Sequence, residues 1–225
     1  MKNSTRDRLV EAARTLFWKH GDSSTGIAQI LKEADAGSGS LYYFFPTKED
    51  LLLAVLEWYR ENLWSAVVQP VFDRVTDPIE RIFGILDGYR RGLLMTSYQH
   101  GCPIGNLALE LADSHPAARR LLAVNFTGWR KAIEQCLAES AERLPETLDR
   151  AQLALFVLTT MEGAVMLARA YQDIEPYDAA VTQLRDYFDR LRQDGTDWSM
   201  PRSQQATQAK PKSRIKRRSK PSSSK

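Results

Sequence analysis

Apolar residues recur at helical spacing along almost the whole chain, from about residue 5 to residue 193. No stretch alternates with the period of two that a half-buried strand requires, so an all-α fold follows. Helix starts are marked along the way. Thr47 precedes Lys48-Glu49-Asp50, Asp77 precedes Pro78, Cys102 precedes Pro103, Ser114 lies just before Pro116, and Glu175 precedes Pro176. Each places a capping side chain or a first-turn proline where a helix begins. Gly21 and Gly195 stand where helices stop. These signals predict nine helices, over 5–20, 25–34, 37–44, 48–74, 78–97, 103–112, 115–141, 147–172 and 177–193.

From about Thr196 the pattern gives way to Pro, Ser, Gln, Lys and Arg, which cannot bury enough surface to order themselves, so 196–225 is expected to be a disordered basic tail. That tail dominates the charge. The formal net charge of +3 includes nine Lys or Arg and no acid between Arg202 and Lys225, which leaves 22 basic against 28 acidic residues elsewhere. An acidic body is not a general nucleic-acid binder, so any DNA contact by the folded part has to be local. Residues 1–48, with seven Lys or Arg against five acids, are the place for it.

Cys102 and Cys136, with no signal-peptide pattern, imply a reducing cytosol and no disulfide framework. No run is expected to span a membrane: the longest uncharged stretch, Gly92 to Leu109, contains Ser97, Gln99, His100, Pro103 and Asn106. The chain reads as soluble and cytoplasmic, with no membrane partner. His20, His100 and His115 with two scattered cysteines show no metal-ligand spacing, and neither metal nor cofactor is expected.

In residues 1–47 an amphipathic helix carrying Leu9, Ala12, Ala13, Leu16 and Phe17 is followed by two short helices joined at Asp35-Ala36-Gly37, which is helix-turn-helix geometry. The second short helix turns Leu41 and Phe45 inward. Outward it offers Ser38, Ser40, Tyr42 and Tyr43, with Gly37 and Gly39 allowing close backbone approach, which suits a major groove. Taken alone, the same exposed tyrosines suit a protein contact equally well.

The run Thr5-Arg6-Asp7-Arg8-Leu9-Val10-Glu11-Ala12-Ala13-Arg14-Thr15-Leu16-Phe17, then Gly21, Ile27-Ala28-Gln29-Ile30, and Gly39-Ser40-Leu41-Tyr42-Tyr43-Phe44-Phe45-Pro46-Thr47-Lys48-Glu49-Asp50-Leu51-Leu52, resembles the DNA-binding domain of the TetR repressor family. The resemblance implies a three-helix DNA-binding domain (1–47), a six-helix ligand-binding and dimerisation domain (48–195) and the tail. It implies a homodimer that represses from a near-palindromic double-stranded DNA operator, released by a small-molecule inducer. It implies phosphate contacts from Thr25 and Lys48, a backbone contact from Tyr42, and base-edge contacts nearer Tyr43 and Ser38. Helix N-terminal amides give the phosphate roles a physical basis. Two positions depart from the family pattern: Asp35 stands for the usual turn glycine and Ser38 for a frequent lysine. The tail's cations are expected to compensate for the second. An activator, or a ligand-independent DNA binder of the same fold, remains the alternative.

In the body, most large apolar residues at helical spacing are packing, and the resemblance implies a pocket among the central helices. Cys102, Asn106, Phe126, Trp129 and Met161 are the candidate sensor residues. The last two helices carry stripes for a four-helix dimer bundle, with Phe156, Thr160, Gly163, Leu184 and Phe188 as candidate interface residues. The segment from Gly101-Cys102-Pro103-Ile104-Gly105-Asn106 to Asp113 resembles the electrophile-responsive subgroup of the family, which includes the repressor of N-ethylmaleimide reductase and the acrylate-responsive repressor. Cys102, next to a helix N-terminus, is expected to have an acidified thiol that an electrophilic inducer modifies. The competing reading is a packed cysteine beside a non-covalent pocket. An enzyme using Cys102 as nucleophile is not expected, for want of a base and orienter.

Overall fold

The structure, a computed structural model, describes residues 4–193. The predicted tail at 196–225 lies outside the described residues. Among those described there are nine α-helical segments, one short 3-10 turn (Ala141–Arg143) and no strand: α1 (Thr5–His20), α2 (Ile27–Glu33), α3 (Ser38–Phe44), α4 (Lys48–Leu63, extended through Trp64–Val68 and Gln69–Phe72), α5 (Pro78–Met95), α6 (Pro103–Leu111), α7 (Pro116–Glu139), α8 (Arg150–Tyr171) and α9 (Glu175–Gln193).

The caps follow the sequence. Ser4 with Asp7, and Thr47 with Asp50, form reciprocal capping boxes at α1 and α4, and Asp77 accepts the N–H of Ile79 and Glu80 at the start of α5. α2 is shorter than expected, starting at Ile27 rather than 25, with the Gln29 side chain accepting the Gly26 N–H at 2.8 Å. The expected helix 48–74 is interrupted by a π turn over Trp64–Val68. Pro70 supplies the cause: it has no N–H for the carbonyl four residues back, and its ring crowds that carbonyl, so the coil widens before it.

Two apolar cores result. One joins α5, α7, α8 and α9 and includes Trp129, Met161, Tyr177, Leu184 and Phe188. The other gathers Leu9, Phe17, Ile30, Leu41 and Phe45 of the headpiece with Leu51, Leu52, Val55 and Leu56 of α4, but also Cys102, Ile104, Leu107 and Leu111 of the α6 region and Leu122 of α7. The headpiece core therefore extends well past residue 47. Tyr89 and Phe126 pack against both. Bidentate pairs Arg90–Asp178 (2.7 and 2.8 Å) and Arg185–Glu80 (2.8 and 3.0 Å) fasten α9 to α5.

α8 has the length and apolarity to cross a membrane, with mean hydropathy 1.6, yet it lies against α7 and α9 with Leu153, Val157, Met161 and Val165 buried. Its apolarity serves packing on more than one side.

Candidate functional site

The headpiece is assembled around a turn that needs a special backbone. Asp35 sits at φ 46, the left-handed region that the absent glycine would have entered freely. Arg8 fixes the turn from α1, donating Nε to the Ala34 carbonyl at 3.0 Å and Nη2 to that of Asp35 at 3.1 Å. α3 then begins at Ser38, with Gly37 at its N-cap, and is anchored by Leu41 and Phe45, 0% and 3% exposed. Its other face is open. Ser38, Ser40, Tyr42 and Tyr43 are all exposed, Tyr43 by 81%.

Thr25 and Lys48 are engaged inside the protein. The Thr25 hydroxyl donates to the Gly21 carbonyl at 2.7 Å and the residue is buried. Lys48 Nζ donates to the Asp22 carbonyl at 2.6 Å and to its Oδ2 at 3.2 Å. A phosphate reaching Lys48 would share it with Asp22.

Between headpiece and body lies a cavity of about 420 Å³. α1 gives it Arg14 and Trp18; α4 gives Trp58, Tyr59 and Asn62; α5 gives Tyr89; α7 gives Asn125 and Trp129; His100, Gly101 and Cys102 close the end before α6. Of the sequence-predicted sensor residues, Cys102 and Trp129 line it. Asn106 does not: its Oδ1 accepts from Arg169 at 2.7 Å. Met161 lines a separate small apolar void with Trp129, and Phe126 is packed between the two cores. Sequence reasoning missed Trp18 and Asn125. For Asn125 a signal existed, a polar residue on the stripe of Leu122 and Trp129. Its amide donates to the Leu56 and Leu121 carbonyls at 3.1 and 2.9 Å, tying α7 to α4.

Cys102 caps α6 as expected, its Sγ accepting the Gly105 N–H at 3.4 Å. The expected acidity is not there. The thiol is 1% exposed; burial pushes it well above the ordinary thiol range, and the neighbouring Glu162 adds to the rise. One backbone amide does not offset the loss of solvent. The Tyr89 hydroxyl donates to the sulfur at 3.6 Å. Burial likewise raises the Glu162 carboxyl, whose Oε1 is buried without a partner. Gly105 admits Glu162 here, because a Cβ would run into its carboxylate. Beside the cavity, burial pushes the Tyr59 phenol up to about 12 against the opposing charge of Arg14.

The candidate dimer residues divide. Phe156 is 50% exposed, its ring 6.0 Å from Tyr187, and Thr160 and Gly163 continue its stripe along α8 toward exposed Leu167 and Tyr171. Leu184 and Phe188 are instead core residues of the protomer, 2% and 1% exposed, with Phe188 edge-on to Phe83 at 5.5 Å. The amphipathic stripe of α9 faces its own chain because α5 lies beneath it.

Comparison with known proteins agrees with this architecture. Residues 9–55 match the family described as bacterial regulatory proteins, tetR family, and residues 78–184 match that described as Tetracyclin repressor-like, C-terminal domain. An HTH-type transcriptional regulator of Mycobacterium tuberculosis is 31% identical over 189 residues, 80% of this chain and 92% of the relative. The HTH-type transcriptional repressor DhaR of Mycobacterium sp. strain GP1 is 27% identical, covering 80% of this chain and 90% of its own. The reduced form of NemR from E. coli superposes with TM-score 0.71 at 23% identity, over 81% of this chain and 96% of that one, a likeness of fold. With a relative above 30% identity matched over most of its length, a helix-turn-helix headpiece whose α3 has an open face, and an all-helical body behind it, this chain is a DNA-binding transcriptional regulator of the TetR family.

Proposed function

We propose that the chain is a ligand-responsive repressor: a homodimer that binds a near-palindromic operator through residues 1–47 and leaves it when a small molecule occupies the cavity between the headpiece and the body 48–195. The observation that carries this reading is that the cavity walls belong to both units, with Arg14 and Trp18 on the headpiece helix α1 and Trp58 and Asn62 on α4. α4 begins at Lys48, bonded to Asp22, and reaches the cavity ten residues later. A ligand that prefers one setting of α4 biases the headpiece by that difference, typically about 1–3 kcal/mol or roughly 5–150-fold in affinity. The repressor sense is supported by the name of the relative DhaR. The dimer is supported by the apolar stripe on α8 of exposed Phe156, Leu167 and Tyr171 with half-buried Gly163 between them.

Base contacts fall to Ser38, Ser40 and Tyr43, with Gly37, Tyr42, Lys48 and the Thr25 region against the backbone. A non-covalent inducer is favoured over an electrophile, because the Cys102 thiol is buried and held protonated. Retardation of DNA flanking the protein's own gene, with and without acrylate, N-ethylmaleimide and apolar compounds, tests the reading. A complex released by an added compound supports it. A protein that retards no such DNA sinks the operator assignment, and release by N-ethylmaleimide that Cys102→Ser abolishes would restore the thiol switch.

A further inference from the structure

The cavity between headpiece and body has a one-sided charge. Its charged lining residues are Arg14, Arg74 and Arg91, and among the described residues no Asp or Glu is part of the wall. The rest is largely aromatic and aliphatic, with Trp18 and Trp58 at the headpiece side and the Tyr89 and Trp129 rings 5.6 Å apart at the body side. Arg14 is the innermost of the three cations. It is half-buried on α1, its guanidinium 4.4 Å above the Trp58 ring, with Nε (3.0 Å) and Nη2 both donating to the Glu11 carboxylate. Arg74 and Arg91 are exposed, and Arg91 is paired with Asp87 outside the wall.

Each ligand class meets this wall differently. A lipophilic cation would find the Trp58 face already covered by Arg14 and no carboxylate in the wall to receive it; the Glu162 carboxylate packs against Gly105 and is not in the wall. A neutral apolar molecule would strip water from Arg14 and give it no new partner, a desolvation cost without return. An anion with an apolar body satisfies both parts of the surface. A volume of about 420 Å³ accommodates a skeleton of roughly two fused rings.

We propose that the cavity takes an apolar ring-sized carboxylate, its acid group drawn to Arg14 and its body against Trp18, Trp58 and Tyr89, an inference that deepens and rests on the reading of this cavity as the effector site. A carboxylate seated there competes with Glu11 for Arg14. It therefore acts directly on α1, the helix whose Arg8 holds the turn between α2 and α3.

The test is calorimetric titration of the full chain with three probes of one skeleton, 2-naphthoate, 2-naphthamide and 2-naphthylmethylammonium, with operator retardation followed in parallel. The expected result is 2-naphthoate binding on the order of tenfold tighter than either other probe, with the margin lost in Arg14→Gln while 2-naphthamide binding stays as it was. Because Arg14→Gln also removes the Glu11 pair, the unsubstituted protein is titrated at low and high salt as well, where only 2-naphthoate is expected to weaken. Absence of 2-naphthoate binding, or equal or tighter binding of the amide or the ammonium, overturns the assignment. Two outcomes separate this proposal from the effector reading. Tight 2-naphthoate binding that leaves the operator complex intact upholds the ligand class and removes the cavity from regulation. Release by the ammonium as effectively as by 2-naphthoate keeps the cavity as effector site and overturns the ligand class.

Discussion

The Glu110 carboxylate, near the C-terminal end of α6, accepts the backbone N–H of Asp22 at 2.9 Å and that of Ser23 at 2.6 Å. The nine-residue helix whose capping sulfur lines the cavity thus holds, at its far end, the loop that leads into α2. Gly21 makes room for this contact: it lies at φ 81, and a Cβ there would come within 2.7 Å of the same carboxylate. Asp22 in turn holds Lys48.

Replacing Glu110 by Gln keeps one acceptor and removes the charge. Burial works against the charge of Glu110, but the donors from Ser23 and Asp22 prevail and hold its carboxyl below the usual range. A depressed folded value means that the stabilisation is present above the ordinary glutamate value of about 4.3 and is lost as pH falls through the folded value. Glu110→Gln is expected to cost about 1 kcal/mol at neutral pH, discounted for partial exposure, and to melt with a shallower acid dependence than the unsubstituted protein. Thermal melts between neutral and acid pH measure both, and superimposable acid limbs would show that the clasp contributes nothing.

Neither cysteine should react readily in the native protein. Burial pushes Cys136 up to about 12 and Cys102 higher still, so at neutral pH the thiolate fraction of Cys136 is on the order of one in 10⁵. Mass spectrometry after brief N-ethylmaleimide treatment is expected to find the folded protein unmodified and the denatured protein modified twice. Rapid native labelling at Cys102 would mean that the α6 region opens.

Two phenylalanines on the last two helices should behave oppositely. Phe156→Glu, on the exposed stripe of α8, is expected to leave helicity and melting nearly unchanged while shifting sedimentation from dimer to monomer. Phe188→Ala, buried against Phe83, is expected to cost about 3–5 kcal/mol in unfolding. A stable Phe188→Ala that sediments as a monomer would place that residue in the interface after all.

On α3 the same contrast separates recognition from packing. Tyr43→Ala, at a residue 81% exposed, should lower operator affinity about tenfold with an unchanged melting temperature. Leu41→Ala, at a residue 0% exposed, should lose about 2–5 kcal/mol of stability. A Tyr43→Ala variant with full operator affinity would remove that ring from the groove.

The sequence by itself determined the helices, because caps, first-turn prolines and apolar spacing act within a turn or two of the residues that carry them: Thr47 caps α4 and Asp77 caps α5 where expected. It also determined the exposed face of α3, since Leu41 and Phe45 can only point inward together. Contacts between segments distant in the chain were decided by the tertiary structure. Leu184 and Phe188 form an apolar stripe whatever they face, and only the placement of α9 on α5 makes that face the core. Helix-terminal amides predict an acidic Cys102, and only enclosure by Tyr89, Glu162 and the α6 region reverses it. Spacing along one helix is local, whereas desolvation and charge pairing depend on what the other helices bring alongside.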